Sequence, residues 1–370
     1  MPKVILLSQV PIPYSKIGSW TTLYKNYLHG NHQIDYIVCK PPEQFAENVK
    51  YILVQRRLSE KVRLFLHKIG LLSKKEKYNH YVRCLKDNIQ PNEKYIIQIV
   101  DNFGVVKPIV DMLVKEGIRK QAYVQFFYHG YPPFFGDFEG RWFFEAIDEM
   151  VLLTHASYQA YKDFYNILPC KFSVLHNGID SQKFFKVSQN EKNTLKVTFG
   201  AANKTVFLWC SQDRPKKGIH IVLEAWKRVY DPNKNMVLWI IGCKPKEDVP
   251  GVQYFGEMPN DELPQYFQAS DCYLFPVLSK EGFGMSLIEA LHCGNYCIAS
   301  ALGGVSEVLQ NGQLGRLIEN PHFISEWEKA IVSFVENPTQ NLPFDSTLYT
   351  STKWANDMNQ IIEEAKKSFL

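Results

Sequence analysis

No apolar run in this 370-residue chain reaches the roughly 18–20 residues that a membrane-spanning helix needs. The first one, Val4-Ile5-Leu6-Leu7, follows Met1-Pro2-Lys3 directly, is too short for a secretory leader and lacks a small-residue cleavage site. A cytoplasmic address is therefore expected. Zinc chemistry is excluded by spacing. The eight cysteines are scattered, and Cys293 and Cys297 form a lone Cys-x3-Cys with neither a second pair nor a nearby His-x3-His. Buried, reduced thiols are expected instead. No internal repeat is visible. Charge of one sign is also scarce, at net +4, but it is unevenly placed. Residues 1–180 hold 23 Lys and Arg against 17 Asp and Glu, and the remainder 19 against 21, so the first half is the candidate for an anionic partner.

What is present is an ordinary globular composition, 45% hydrophobic and 22% charged, long enough for two domains with sizeable cores. Its most informative stretch is Lys280-Glu281-Gly282-Phe283-Gly284-Met285-Ser286-Leu287-Ile288-Glu289-Ala290. Before it, Cys272 to Val277 is an apolar run closed by Pro276, a buried-strand pattern. After Gly284, the residues Met285, Leu287, Ile288 and Leu291 recur at helical spacing until Gly294. The stretch is thus strand, glycine-bearing loop and helix. Such a loop lets backbone amides approach an anion, and the helix start adds about half a positive charge. A diphosphate suits that position. Glu281 in the loop and Glu289 one turn into the helix lie about 12 Å apart on an all-helical path. That is roughly the span from ribose to sugar across a diphosphate. The plainer alternative is a surface Glu and a satisfied helix Glu on an ordinary α/β unit.

Glu281 and Glu289 stand in the Glu-x7-Glu arrangement of retaining GT-B glycosyltransferases, and EGFGMSLIEA with Gly303-Gly304 resembles the large GT4 family. The resemblance implies an α/β chain of GT-B type, two doubly wound Rossmann-like domains facing across a cleft. It divides the chain into an acceptor-binding domain (1–180), a nucleotide-sugar-binding domain (181–350) and a C-terminal helix (351–370) crossing back to the first. The implied reaction moves a sugar from a UDP- or GDP-sugar to an acceptor hydroxyl with retention, without metal or cofactor. A lipid-linked or cell-surface glycan, as in lipopolysaccharide or capsule synthesis, is the implied acceptor.

Strands alternate with helices along both halves, which independently predicts parallel sheets, and ligands in such sheets bind at the carboxyl ends of strands. Gly18 follows the first strand and matches the family's glycine-bearing loop, though a tight turn also needs glycine. His129, ending the strand Ala122–Tyr128, resembles the family histidine that contacts the transferred sugar, and Asp101 ends the strand before it. The loop 131–138 is aromatic enough to stack on sugars or to cover the core. Its Asp137-Phe138-Glu139 is discounted as a metal signature. In Ser211 to Gly218, Lys217 matches the family's diphosphate-binding lysine. Gln212 occupies the usual arginine position, with Arg214 two residues on as its substitute. The donor-binding set is Gly18, Arg214, Lys217, Gly282, Phe283, Gly284, Met285 and Glu289, and the catalytic set His129, Arg214, Lys217 and Glu281.

Two further expectations concern surfaces. Residues 49–77 carry apolar residues at three- and four-residue spacing (Tyr51, Val54, Leu58, Val62, Phe65, Ile69, Leu72) under a strongly basic face. Such a helix binds anionic membrane, peripherally at the inner face, or simply packs with its basic side solvated. Nucleic acid is not expected, because no aromatic interleaving accompanies the charge. The polar stretch 186–204 reads as a hinge or surface loop. Rival functions are a sugar-nucleotide epimerase of the same fold and a catalytically silent nucleotide-sugar-binding protein.

Overall fold

The computed structural model describes every residue except 15–18, 56–61, 63–64, 67, 72–77, 132–140, 165–168, 339–342 and 370. Two compact units are present. The first comprises Met1–Leu153, Tyr158–His176 and Trp354–Leu370, and the second Thr154–Ser157 and Asn177–Lys353.

The first unit is built on seven parallel strands, β1 (Lys3–Ser8), β2 (Tyr36–Cys39), β3 (Lys50–Leu53), β4 (Tyr95–Val100), β5 (Ala122–Phe127), β6 (Glu149–Leu152) and β7 (Lys171–Val174). Their spatial order is β3-β2-β1-β4-β5-β6-β7. Order reverses at β1, as in doubly wound sheets. Both faces are covered, so the strands read as continuous apolar runs. Ile5 and Leu7 enter one buried layer with Ile97 and Ile99, while Val4 and Leu6 enter the other with Ile96 and Val100. The second layer is completed by Trp354, Met358, Ile361 and Ile362 of the helix Ser351–Lys367.

One row in that layer is polar. Gln98 donates to Gln125 at 3.0 Å, and Gln125 to Glu149 at 2.7 Å. Ser173 also bonds Glu149, and Lys171 bridges Glu149 at 3.4 Å to Glu364 at 2.9 Å. Gln98, Gln125 and Glu149 are fully buried. They tie neighbouring strands together and meet the last helix again at Met358, whose sulfur accepts from Gln98 at 3.7 Å.

The second unit holds β8 (Thr205–Cys210), β9 (Met236–Ile241), β10 (Val252–Gly256), β11 (Cys272–Phe275), β12 (Tyr296–Ser300) and β13 (Gly315–Ile318), all parallel in the order β10-β9-β8-β11-β12-β13. Trp209, Trp226 and Trp327 fill the core on one side of the sheet. All eight cysteines are free, as the spacing predicted, and six are buried.

Two expectations are corrected. Residues 50–53 are not helical but form the edge strand β3, paired in register with β2. The contiguous run Tyr51-Ile52-Leu53-Val54 favours a strand, and the otherwise open edge of β2 supplies its hydrogen bonds. Most of the rest of 49–77 lies outside the described residues. The stretch 186–204 is not a hinge loop either, because Gln189–Thr198 is a helix. Ser188 accepts from the Glu191 amide, and Glu191 accepts from the Ser188 amide, a capping box that outweighs the polar composition.

Trp354 is buried against Tyr24 and Tyr27, at ring distances of 5.3 and 5.6 Å. Trp354→Ala is expected to destabilise the chain by about 3–5 kcal/mol, read from chemical denaturation.

Candidate active site

In the second unit, one close approach assembles the site. Gly218 has φ +69°, and a Cβ there would stand 1.9 Å from the Pro276 carbonyl oxygen. Only glycine lets the turn Pro215–Lys217 lie against the end of β11. The Leu278 amide donates to the Lys216 carbonyl at 2.8 Å, and the Trp209 indole N–H to the Lys217 carbonyl at 3.2 Å. Held from both sides, Lys217 extends its Nζ to 2.6 Å from Glu281 Oε2 and to 5.8 Å from the ring centre of Phe275. Glu281 is fixed in turn by a parallel bridge to Gly303, with the Gly304 amide donating to the Glu281 carbonyl at 2.9 Å.

The loop then turns into the helix Met285–His292. Gly284, at φ +93°, sits at its N-cap without any side-chain cap, which leaves first-turn amides unclaimed by a capping group. Phe283 is buried and packs edge-on to Tyr349 at 5.4 Å, so its ring serves the core and only its backbone is available to the loop. Met285 is half-buried at the helix start.

The two carboxylates occupy different environments. Glu281 has its ammonium partner. Glu289 has none: among the described residues nothing donates a hydrogen bond to its carboxylate, and burial pushes its pKa up to about 7. Arg214 does not join the pair. Its side chain is exposed, and its carbonyl accepts from the Lys217 amide at 2.8 Å. The arrangement thus offers an ammonium and free amides to an anion, and carboxylates to hydroxyl donors on either side.

In the first unit, His129 lies just beyond β5 with its ring 6% exposed. It stacks on Trp20 at 5.1 Å and faces Asp101. Trp20 and Phe275 were not singled out in the sequence. Trp20 and Tyr24, four apart on one helix, were the available signal. Gly18 lies outside the described residues, as does Asp137-Phe138-Glu139 with most of the aromatic loop.

Residues 191–347 match the family model described as glycosyl transferases group 1. Over that stretch the chain is similar to the group 1 family. The GT4-type resemblance seen in Glu281, Glu289 and Lys217 therefore holds. Among curated relatives, phosphatidyl-myo-inositol mannosyltransferase of Mycobacterium tuberculosis is 25% identical over 150 residues, 38% of each chain. N-acetyl-alpha-D-glucosaminyl L-malate synthase of Bacillus anthracis is 26% identical over 190 residues, 47% of this chain and 48% of its own. The chain thus spans less than half the length of these relatives. Among solved structures, Anabaena HepE in complex with UDP aligns with a TM-score of 0.72 at 16% identity, over 98% of this chain and 100% of that one. Sucrose-phosphate synthase from Thermosynechococcus elongatus aligns at 0.71 and 15%, over 100% of both. The fold is GT-B.

Glu289 generates a stability prediction. Its folded pKa lies above the ordinary 4.5, so between these values the native state holds a proton that the unfolded chain has lost. Stability contributed here falls as pH rises through that window. Glu289→Gln is expected to be more stable than the parent at pH 7.5 by about 1–3 kcal/mol, with the gain vanishing near pH 4.5. Denaturant midpoints across pH check this.

Proposed function

We propose that the chain is a metal-independent, retaining glycosyltransferase that moves a sugar from a nucleoside diphosphate sugar to an acceptor hydroxyl. The observation that carries this reading is the pairing of Lys217 with Glu281 beside a glycine-opened helix start, with Glu289 unpartnered one turn on. An incoming diphosphate competes for the Lys217 ammonium and takes the loop amides. Glu281, released, accepts hydroxyl hydrogen bonds from the sugar, and Glu289 accepts them from the ribose. Charge developing on the leaving diphosphate is stabilised by Lys217 and the helix amides, supplemented by Arg214 if its exposed side chain swings in. No carboxylate nucleophile is assigned, so retention proceeds at the front face, with the leaving diphosphate assisting deprotonation of the acceptor.

UDP, the nucleotide in the HepE complex, is the first donor base to test, with GDP beside it. The curated relatives' names include a phosphatidylinositol acceptor, which supports a lipid-linked glycan here. Exposure of Val62, Phe65, Ile69 and Leu71 at 53–69% supports peripheral attachment at the inner membrane face. No helix among the described residues is long and apolar enough to cross a membrane.

Calorimetric titration with UDP, GDP and ADP is the direct test, and failure of all three to bind would overturn the reading. At pH 6, binding is expected to release protons as Glu289 ionises against ribose hydroxyls, seen as a buffer-dependent enthalpy that fades by pH 8.5 and is absent in Glu289→Gln. Glu281→Ala is expected to lower turnover by ~100-fold or more while nucleotide affinity holds or rises, because Lys217 is then unpaired. Sedimentation with vesicles containing anionic phosphatidylserine, compared with phosphatidylcholine alone, tests the membrane reading. Equal recovery with both would remove its electrostatic part.

A further inference from the structure

The first unit contains an arrangement that the donor chemistry of the second does not explain. Asp101, the residue after β4, is a non-glycine residue in the left-handed region, at φ +52°. Side chains rarely adopt that backbone, and such strain persists where the surroundings impose it. Here the surroundings are evident. The Asp101 amide donates to the Phe127 carbonyl at 2.9 Å, which pulls the end of β4 onto the end of β5. The Asp101 carboxylate then reaches His129 twice. Oδ1 accepts the His129 backbone N–H at 2.8 Å, and Oδ2 stands 3.3 Å from Nδ1. The second contact lies off the ring N–H direction, so it is electrostatic here rather than a formed hydrogen bond. Catalytic contacts are commonly this loose before ligand binds.

The ring has little freedom. Trp20 stacks on it with planes 19° apart, and Tyr24 closes the edge at 6.4 Å. The Tyr24 hydroxyl is itself buried without a partner, and its pKa is raised first by burial and then by the Asp101 charge. An indole face and a carboxylate both favour positive charge or N–H groups on the imidazole side. With Nδ1 turned to Asp101, Nε2 is the nitrogen left for a ligand, and it has no hydrogen-bond partner among the described residues.

We infer that Asp101 is a positioning residue, which holds His129 in the Nδ1-protonated form and thereby dedicates Nε2 to an oxygen of the bound sugar or acceptor. Trp20 is the wall that keeps the ring in this plane. The role of His129 toward sugar rests on the proposed transferase reading, but the tautomer does not. A base oriented by a third group is a recurring device wherever one imidazole nitrogen must be kept for chemistry.

The test separates the two. In full-length protein labelled with 15N-histidine, ring-nitrogen shifts at pH 8 report which nitrogen of His129 carries the proton, with the resonance assigned by its loss in His129→Gln. The parent is expected to show protonated Nδ1, and Asp101→Asn a shift of population toward protonated Nε2, with the melting temperature within about 3 °C of the parent. Unchanged nitrogen shifts in folded Asp101→Asn would overturn the inference, whatever the enzymatic outcome. Should Asp101→Asn unfold, Asp101→Ser, which likewise removes the carboxylate, is read the same way. Protonated Nε2 in the parent would overturn it equally. Once a donor and acceptor are known, Asp101→Asn is expected to lower kcat ~10-fold or more with donor KM within twofold. Equal losses in kcat and donor affinity would refute a role confined to His129.

Discussion

A single ammonium–carboxylate contact, Lys217 to Glu281 at 2.6 Å, organises the second unit's site. It requires the turn before Gly218 to press on the carbonyl of Pro276, and it requires the Glu281 backbone to be pinned at Gly303. Both requirements are met by backbone, not by adaptable side chains. The half-buried pair is partly desolvated, so its members interact more strongly with each other, and with whatever replaces one of them, than they would at the surface. Such a pair is a poor source of net stability. What it does supply is a fixed separation between an ammonium and a carboxylate.

Glu281 and Glu289 show how one short segment prepares two carboxylates for different conditions. Glu281 meets a cation. Glu289 meets thiols and a buried phenol, with Cys210, Tyr273 and Cys293 all feeling its charge, and its own pKa rises to about 7. An unpaired acid in that setting is poorly solvated by the protein and readily satisfied by hydroxyl donors. The seven-residue spacing between the acids therefore carries more than a distance, since it places one group in the loop and the other inside the helix-strand packing.

Much of this was legible in the residues. The alternating strands, the glycine loop, the lysine ahead of Gly218 and both acids all stand in local patterns whose physics is short-ranged. What escaped was set by partners distant in sequence. Tyr51 and Val54 fit a helical stripe, but the free edge of β2 makes that segment a strand. Residues 189–198 look polar and loop-like until Ser188 and Glu191 are seen to cap each other. Trp20 beside His129, and the buried row Gln98–Gln125–Glu149, depend on which strands and helices become neighbours, and no window of sequence contains that. Residues 191–347 carry the family match, and the glycine loop, Lys217 and both acids fall in the same half.

The helix Ser351–Lys367 has a consequence for biosynthesis. Its residues from Trp354 onward belong to the first unit, so the whole of 177–353 is threaded between parts of one core. On the ribosome, the inserted unit can finish folding first. Its predecessor must wait with an uncovered apolar layer, and with Gln98 and Gln125 open to water, until the last helix emerges. Domains usually mature in the order of their synthesis, whereas here the helix that closes the first unit's core is made after the whole of the second. The nascent chain is most vulnerable to aggregation through the half that was made earliest.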